Sequence, residues 1–143
     1  MASWSEVAAE APELAARARA LFDAFTHKTM ATLRRDGSPR ISGTEVEFSD
    51  GELFIGSMSR AVKALDLRRD PRFAIHSGSA DPPDWPGDAK IAGRAEEVSK
   101  PGADSHRFRL DISELVVVRL GDPADHLVIE SWHEGRGVSS IRR

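Results

Sequence analysis

The sequence of 143 residues has no cysteine and no tyrosine, and aromatic residues make up only 6% of it. Without cysteine there is no disulfide, no thiolate metal site and no cysteine nucleophile. No apolar run approaches the roughly 20 residues that a membrane-spanning helix needs. The first ten residues also lack the basic start and apolar core of a secretory signal peptide. These absences predict a cytoplasmic protein that has no contact with a membrane.

Motifs of side-chain catalysis are missing as well. The five histidines show no His-x-x-x-His spacing, and no serine lies in a Gly-x-Ser-x-Gly elbow. No Gly-x-Gly-x-x-Gly follows a predicted strand, so a dinucleotide-binding fold is not expected. We therefore expect no metal site and no catalytic side chain. If the chain is an enzyme, a bound cofactor carries its chemistry.

The composition is that of a folded protein. Hydrophobic residues make up 40% and charged residues 30%, and the net charge is −3. The length suits one domain with an adequate core, and no linker divides the chain, so we expect a single domain over 1–143. A slightly negative chain is not expected to bind nucleic acid.

One stretch, residues 57–71, combines helix signals with polar groups that suit an anion. Ser57 and Ser59 are good helix N-caps, and Pro71 ends the helix predicted over 58–70. The start of such a helix has free N–H groups and partial positive charge. Lys63 leans back toward that turn, and Arg60 lies in it. These groups predict a phosphate site, with a capped helix and a solvated basic face as the alternative.

The rest of the chain predicts short strands and one further helix. Apolar residues at helical spacing place an N-terminal helix within 1–26. Asp-Gly turns and alternating apolar residues predict about seven strands, at 27–33, 40–48, 52–57, 72–77, 88–98, 112–120 and 127–132. Residues 78–87 read as a loop, 101–107 as a connection and 136–143 as a tail. The pattern favours a closed or partly closed antiparallel barrel.

Three segments carry a resemblance to a known family. They are A-T-L-R-R-D-G-S-P-R at 31–40, D-G-E-L-F-I-G-S at 50–57 and S-R-A-V-K-A-L-D-L-R-R-D-P-R at 59–72. Together they resemble the pyridoxamine 5′-phosphate oxidase-like superfamily, and they are similar to its small flavin and deazaflavin oxidoreductases. The resemblance implies a mainly β fold, a six- to seven-stranded antiparallel Greek-key split β-barrel of the FMN-binding type. It also implies a homodimer with cofactor clefts between the subunits.

The resemblance assigns cofactor-binding roles by position. It implies that Lys63 holds the cofactor phosphate with Ser57 nearby, and that residues 42–44 lie along the flavin ring. Trp132, in W-H-E-G-R-G, resembles aromatic residues that reach the partner's cofactor, with a barrel-core tryptophan as the alternative. The helix start and the resemblance together predict ten cofactor-binding residues: Arg40, Ser42, Gly43, Thr44, Ser57, Ser59, Arg60, Lys63, Lys90 and Trp132.

Departures from the family pattern limit the expected activity. Val62 stands where true oxidases have an arginine before the lysine, and Asp88 stands in place of a glutamine. The C-terminal substrate signature of those oxidases is not recognisable, so pyridoxamine phosphate is not the expected substrate. We expect an oxidoreductase that binds FMN, or alternatively the 8-hydroxy-5-deazaflavin coenzyme, and exchanges hydride with a small organic molecule. The alternative is a non-catalytic flavin- or haem-binding split barrel.

Overall fold

In the computed structural model, which describes residues 2–143, nine strands join into one sheet and three helices pack against it. The helices are α1 (Trp4–Glu10), α2 (Pro12–Ala24) and α3 (Val62–Arg69). The strands are β1 (Lys28–Leu33), β2 (Pro39–Thr44), β3 (Val46–Ser49), β4 (Glu52–Met58), β5 (Arg72–His76), β6 (Asp88–Glu97), β7 (Ser105–Leu120), β8 (Leu127–His133) and β9 (Gly137–Arg142).

The sheet curls until its two ends meet. Its main path runs β2-β1-β5-β6-β7-β4-β3, with antiparallel neighbours throughout, and β8 and β9 extend it from β7. The end strands β2 and β3 are not paired with each other, yet only Glu45 separates them in the chain. Because one residue spans so short a distance, the two ends of the sheet must lie side by side. The result is a barrel that is open along one seam.

The long strand β7 contains one residue that has no partner on β6, and the side of the strand that is buried changes at that residue. Phe108, Leu110 and Ile112 are buried on its first half, whereas Leu115 and Val117 are buried on its second half. The pairing with β6 shifts between Ala92 and Gly93, so the phase of alternation changes there. A side chain at Gly93 would lie 1.9 Å from the Asp111 carbonyl oxygen, which is why this position tolerates only glycine.

The core lies between the curled sheet and the helices. Helices α1 and α2 pack on β4, β6, β7 and β8, while α3 packs on β1 and β6. Phe22, Phe108 and Trp132 are among the largest fully buried side chains. Burial of one such side chain stabilises the fold by roughly 1.5–3 kcal/mol, so the packed helices are part of the fold rather than attachments to it. Among residues 2–143, no helix combines the length and the apolar character needed to span a membrane.

The N-terminal helix predicted within 1–26 is two helices. The backbone departs from helical geometry at Ala11, and Pro12 opens α2. Proline lacks an N–H and is favoured in the first turn of a helix, so it begins a new helix here instead of continuing the old one.

Three predictions about the strands were also wrong. The strand predicted over 40–48 divides at Glu45, since its first part pairs with β1 and its second with β4. The connection predicted over 101–107 is strand from Ser105 onward, because that segment pairs with β4. The tail predicted over 136–143 forms β9 by pairing with β8. In each case a distant pairing partner, invisible in the local pattern, decided the structure.

Candidate functional site

The turn between β4 and α3 does not have the predicted capping. The N-cap residue of α3 is Ala61, and no side chain accepts a hydrogen bond from the first turn. Ser57 lies within β4, and Ser59 is exposed in the turn. Arg60 is also exposed and has a positive φ of 66°, which turns the chain sharply before the helix. The prediction that Ser57 and Ser59 cap the helix was therefore wrong, and the first N–H groups of α3 have no side-chain acceptor.

Lys63 reaches from the first turn of α3 to strand β2. Its Nζ donates a hydrogen bond to the Gly43 carbonyl oxygen at 2.8 Å. Burial lowers the pKa of Lys63 from its ordinary value of 10.5. An ammonium group has three N–H donors, so two remain for another acceptor. A partly buried cation with unused donors is suited to binding an anion.

Two serine hydroxyls, one on β2 and one on β4, are buried without a partner among the described residues. Within residues 2–143, Ser42 Oγ and Ser57 Oγ are buried and make no hydrogen bond. Ser42 precedes the glycine that Lys63 contacts, and its strand β2 approaches β4, which holds Ser57. A buried hydroxyl without a partner costs roughly 1–3 kcal/mol. These hydroxyls therefore mark places where a bound ligand would stabilise the structure.

The backbone at Gly43 leaves room for a ligand. A side chain built at this position would meet nothing within 4 Å. Gly43 is therefore not required by crowding inside the chain. Its exposed surface is the kind that a flat ring lying along β2 needs.

Asp66 is the central polar residue of α3, and the sequence reasoning missed it. Its carboxylate is 1% exposed and accepts hydrogen bonds from Arg40 Nε at 2.7 Å, Thr32 Oγ1 at 2.8 Å and Arg69 Nη2 at 3.0 Å. Burial alone would raise the pKa of Asp66, but the hydrogen bonds from these three residues outweigh burial and hold the pKa below 3.8. The available signal was its position three residues after Lys63 in α3, next to a helical face that packs on the sheet.

The hydrogen bond to Asp66 fixes the Arg40 side chain but uses only one of its N–H donors. Only its Nε is engaged by Asp66, and no other hydrogen bond from its side chain is formed within residues 2–143. The terminal nitrogens of the guanidinium therefore remain free to bind an anion. Arg40 lies three residues from Gly43 on β2, roughly 10 Å away along the strand.

Lys90 and Trp132 do not join this group. Trp132 is 1% exposed and donates from Nε1 to Glu10 Oε2 at 2.7 Å, which is the placement of a barrel-core tryptophan. Lys90 is exposed on β6, three strands from β2 in the sheet order, and lines a separate cavity of about 180 Å³ together with Ile41. Because side chains alternate along β2, Ile41 and Gly43 lie on the face opposite to Ser42. Lys90 lies on that outer face as well, since it is aligned with Gly43 across β1 and β5.

The two remaining residues of interest have partners close by in the chain. Thr44 is buried at the end of β2, where its hydroxyl donates to the Glu45 carbonyl oxygen at 3.2 Å. Asp88 accepts hydrogen bonds from Ser79 and from the Trp85 indole, and it begins β6, three strands from β2 in the sheet order. Its carboxylate therefore does not oppose an anion bound at Lys63.

Among the described residues, no group of three or more histidine, aspartate or glutamate side chains could hold a metal ion.

Comparison with solved structures identifies the fold. A pyridoxamine 5′-phosphate oxidase-related, FMN-binding protein from Nostoc punctiforme is 15% identical, with a TM-score of 0.64 over 92% of this chain and 94% of its own. A heme-binding protein from Mycobacterium smegmatis is 15% identical, with a TM-score of 0.60 over 88% and 86%. An F420 reductase is also 15% identical, with a TM-score of 0.55 over 68% and 94%. Neither a protein-family model nor a curated protein matches this chain.

These similarities confirm the predicted split-barrel fold. The solved structures that share this fold include a pyridoxamine 5′-phosphate oxidase-related, FMN-binding protein, and the likeness to it is one of fold. Proteins with this fold include FMN-binding, F420-related and heme-binding members. At 15% identity the comparison does not assign a ligand to this chain.

Proposed function

We propose that this protein binds a flavin-type cofactor between α3 and β2 and acts as an oxidoreductase on a small organic substrate. FMN is the first candidate, and the 8-hydroxy-5-deazaflavin coenzyme is the alternative. The observation that carries the proposal is the placement of Lys63 next to strand β2. Ser42 on β2 and Ser57 on β4 hold buried hydroxyls that have no partner in the part of the chain that the structure describes. The FMN-binding and F420-related proteins that share the fold support it.

The residues present fit the phosphate of such a cofactor. Lys63 offers two free N–H donors, and Arg40 offers the terminal nitrogens that Asp66 leaves unused. Ser57 can donate its hydroxyl from the end of β4. Hydrogen bonds between charged groups are roughly twice as strong as neutral ones, so two cations and a hydroxyl form an adequate anion site. Two arginines are candidates to replace the one that is missing at Val62: Arg60, which is exposed in the turn before α3, and Arg40 on β2.

The ring of the cofactor would lie along β2. Gly43 leaves open surface there, on the outer face that it shares with Ile41, whereas the Ser42 hydroxyl lies on the opposite face together with Arg40. When bound, the flavin supplies hydride chemistry, which no side chain of this protein can provide. The chain contributes binding and orientation, and the phosphate anchor at Lys63 determines which end of the ligand lies next to α3.

We further propose that the protein is a homodimer through the outer face of the sheet. A directly opposed row of residues crosses five strands on this face: Ile41, Ala31, Ala74, Ala92 and Glu114. Ile41 is 68% exposed, and the three alanines leave the surface flat. A flat apolar face favours burial against a second copy. Light scattering at micromolar concentration should give twice the monomer mass, and a monomer would contradict the dimer.

Absorption spectroscopy tests the cofactor directly. A yellow protein with flavin bands, or an apo protein that acquires perturbed bands when FMN is added, would support FMN. Spectral change only with the deazaflavin coenzyme would support the alternative. A Soret band after haem addition, with no response to either flavin, would favour the haem-binding alternative. A protein that responds to none of them would contradict the proposal.

A further inference from the structure

A second cavity lies along α3 on the side of the β1–β2 hairpin. It has a volume of about 870 Å³, and its charged lining consists of five arginines and two aspartates: Arg34, Arg35, Arg40, Arg68, Arg69, Asp36 and Asp66. We name it the arginine cleft. The whole chain has a net charge of −3, so this concentration of cations is local. The volume falls within the range of small-molecule sites, roughly 300–1,000 Å³.

Three of the arginines use some of their N–H donors in hydrogen bonds within residues 2–143 and leave the rest unused. Arg34 Nη1 donates to the Pro39 carbonyl oxygen at 3.0 Å, and Arg69 Nη2 donates to the Leu33 carbonyl oxygen at 2.6 Å. Arg40 is held through Nε alone. A guanidinium carries five N–H donors, so each of these groups keeps most of them. Fixed guanidinium groups lose little side-chain entropy when a ligand binds.

The positive charge of the cleft is only partly compensated. Asp66 is shared between Arg40 and Arg69, so one carboxylate faces two cations. Arg68 is fully paired, with Nε and Nη2 at 2.7 and 2.9 Å from the Glu97 carboxylate oxygens. Arg35 is exposed and has no hydrogen-bond partner within residues 2–143. The excess charge suits a ligand that carries more than one negative charge.

Part of the wall is apolar. Val62 and Leu65, one helical turn apart, are 50% and 49% exposed and line the cleft. Exposed aliphatic side chains beside a cluster of guanidinium groups offer a surface to the organic part of a charged molecule.

We propose that the arginine cleft binds a small organic molecule carrying a diphosphate or a longer phosphate chain. A single phosphate would engage only part of the guanidinium cluster, whereas two linked phosphates can reach cations on both the hairpin and α3. Val62 and Leu65 then contact the organic part. Lys63 does not line the cleft, whereas Arg40 belongs both to the cleft and to the proposed cofactor site, so the two sites adjoin. The hairpin residues Arg34 and Arg35 belong to the cleft alone, and they therefore test it independently of a flavin.

Calorimetric titration of orthophosphate, pyrophosphate and ADP into the full chain tests the proposal. Pyrophosphate should bind at least about tenfold more tightly than orthophosphate, since it makes more charge-assisted hydrogen bonds. The double variant Arg34→Gln/Arg35→Gln should lose about tenfold or more of the pyrophosphate affinity. The matched control Arg136→Gln/Arg142→Gln removes the same charge from exposed positions on the β8–β9 hairpin and should stay within about twofold of the wild type.

Two further variants distinguish the arginine cleft from the proposed cofactor site and test its apolar wall. Because pyrophosphate can also bind at Lys63, the two sites are distinguished by which binding event is lost: Lys63→Ala should keep the event that Arg34→Gln/Arg35→Gln removes, and loss of that event in Lys63→Ala would place the anion in the cofactor site instead. Leu65→Ser should weaken ADP severalfold without changing pyrophosphate, and an unchanged ADP affinity would contradict contact with an organic group. Equal affinities for orthophosphate and pyrophosphate, or equal losses in the hairpin variant and its control, would overturn the proposal.

Discussion

Two polar clusters lie one turn apart on α3, and they differ in how completely they are satisfied. The Asp66 cluster is closed, because its buried carboxylate accepts hydrogen bonds from Thr32, Arg40 and Arg69. The Lys63 cluster is open, because within residues 2–143 Ser42 and Ser57 are buried without partners and the lysine has unused donors. Both clusters join the same helix to the same edge of the sheet.

This difference in hydrogen bonding indicates a structural role for the Asp66 cluster and a binding role for the Lys63 cluster. A closed network in a low-dielectric interior stabilises one arrangement of helix and strands. An open network costs stability in the absence of a ligand, so it is retained where a ligand completes it. We infer that Asp66 holds α3 in place and that this placement positions Lys63 for a ligand.

The largest effect is expected from breaking the closed cluster. Asp66→Ala should lower the free energy of unfolding by about 3 kcal/mol, because it leaves Arg40 and Arg69 without their buried partner. Denaturant titration measures this change. The matched control Asp84→Ala, at an exposed loop position, should change stability by less than about 0.5 kcal/mol. An Asp66→Ala variant as stable as the control would show that the network does not hold the helix.

Removal of single hydroxyls sharpens the comparison. Thr32→Val should cost about 1.5 kcal/mol of unfolding free energy, since it deletes a hydrogen bond to a charged group. Ser42→Ala and Ser57→Ala should leave the stability of the ligand-free protein within about 0.5 kcal/mol or raise it, because they remove buried groups without partners. Thermal or denaturant unfolding of the three variants measures the contrast. Equal losses at all three positions would mean that the two clusters do not differ.

A smaller loss of stability than at Asp66 or Thr32 is expected at the C-terminal end of the helix, where Arg68 pairs with Glu97. The hydrogen bonds from Arg68 and His106 lower the pKa of Glu97 from 4.5 to about 2. A carboxylate with a depressed pKa contributes stability above pH 4.5 and loses it as the pH falls toward 2. Because the pair is partly exposed, we expect a contribution of roughly 1 kcal/mol or less.

Unfolding measured from about pH 6 to about pH 2 tests this contribution. Glu97→Gln should lose stability at the upper end of this range and show a shallower decline toward acid than the wild type. If the unfolding free energy of Glu97→Gln falls with pH as steeply as that of the wild type, Glu97 does not contribute to the loss of stability in acid.

Local signals predicted much of the fold from the sequence. The Asp-Gly turns at 36–37 and 50–51 and the helix ending before Pro71 correspond to observed elements. The strand at 105–111 and β9 could not be predicted, because their structure depends on pairing with β4 and β8. The division of the N-terminal helix at Pro12 was open to prediction, since proline favours a first helical turn.

The candidate site was also predicted only in part, because some of its residues are brought together by contacts between distant parts of the chain. The helix start and the resemblance together brought Lys63, Ser42, Gly43 and Ser57 into one hypothesis. Asp66 was missed because an aspartate between basic residues reads as a solvated charge, and only tertiary packing shows that it is 1% exposed. Trp132 is likewise buried by tertiary packing, and its indole N–H donates to Glu10, which is 122 residues away in sequence.

The most direct test of the central claim is FMN titration into the wild type, Lys63→Ala and the matched control Lys100→Ala, followed by flavin fluorescence. If Lys63 anchors the cofactor phosphate, its loss should weaken binding about ten- to a hundredfold, the equivalent of roughly 1.5–3 kcal/mol, while Lys100→Ala leaves affinity unchanged. Unfolding of Lys63→Ala should stay within about 1 kcal/mol of the wild type, since it loses one hydrogen bond to a carbonyl. If wild-type FMN binding is measurable and Lys63→Ala binds with the same affinity, the cofactor lies elsewhere and the open cluster is not its phosphate site.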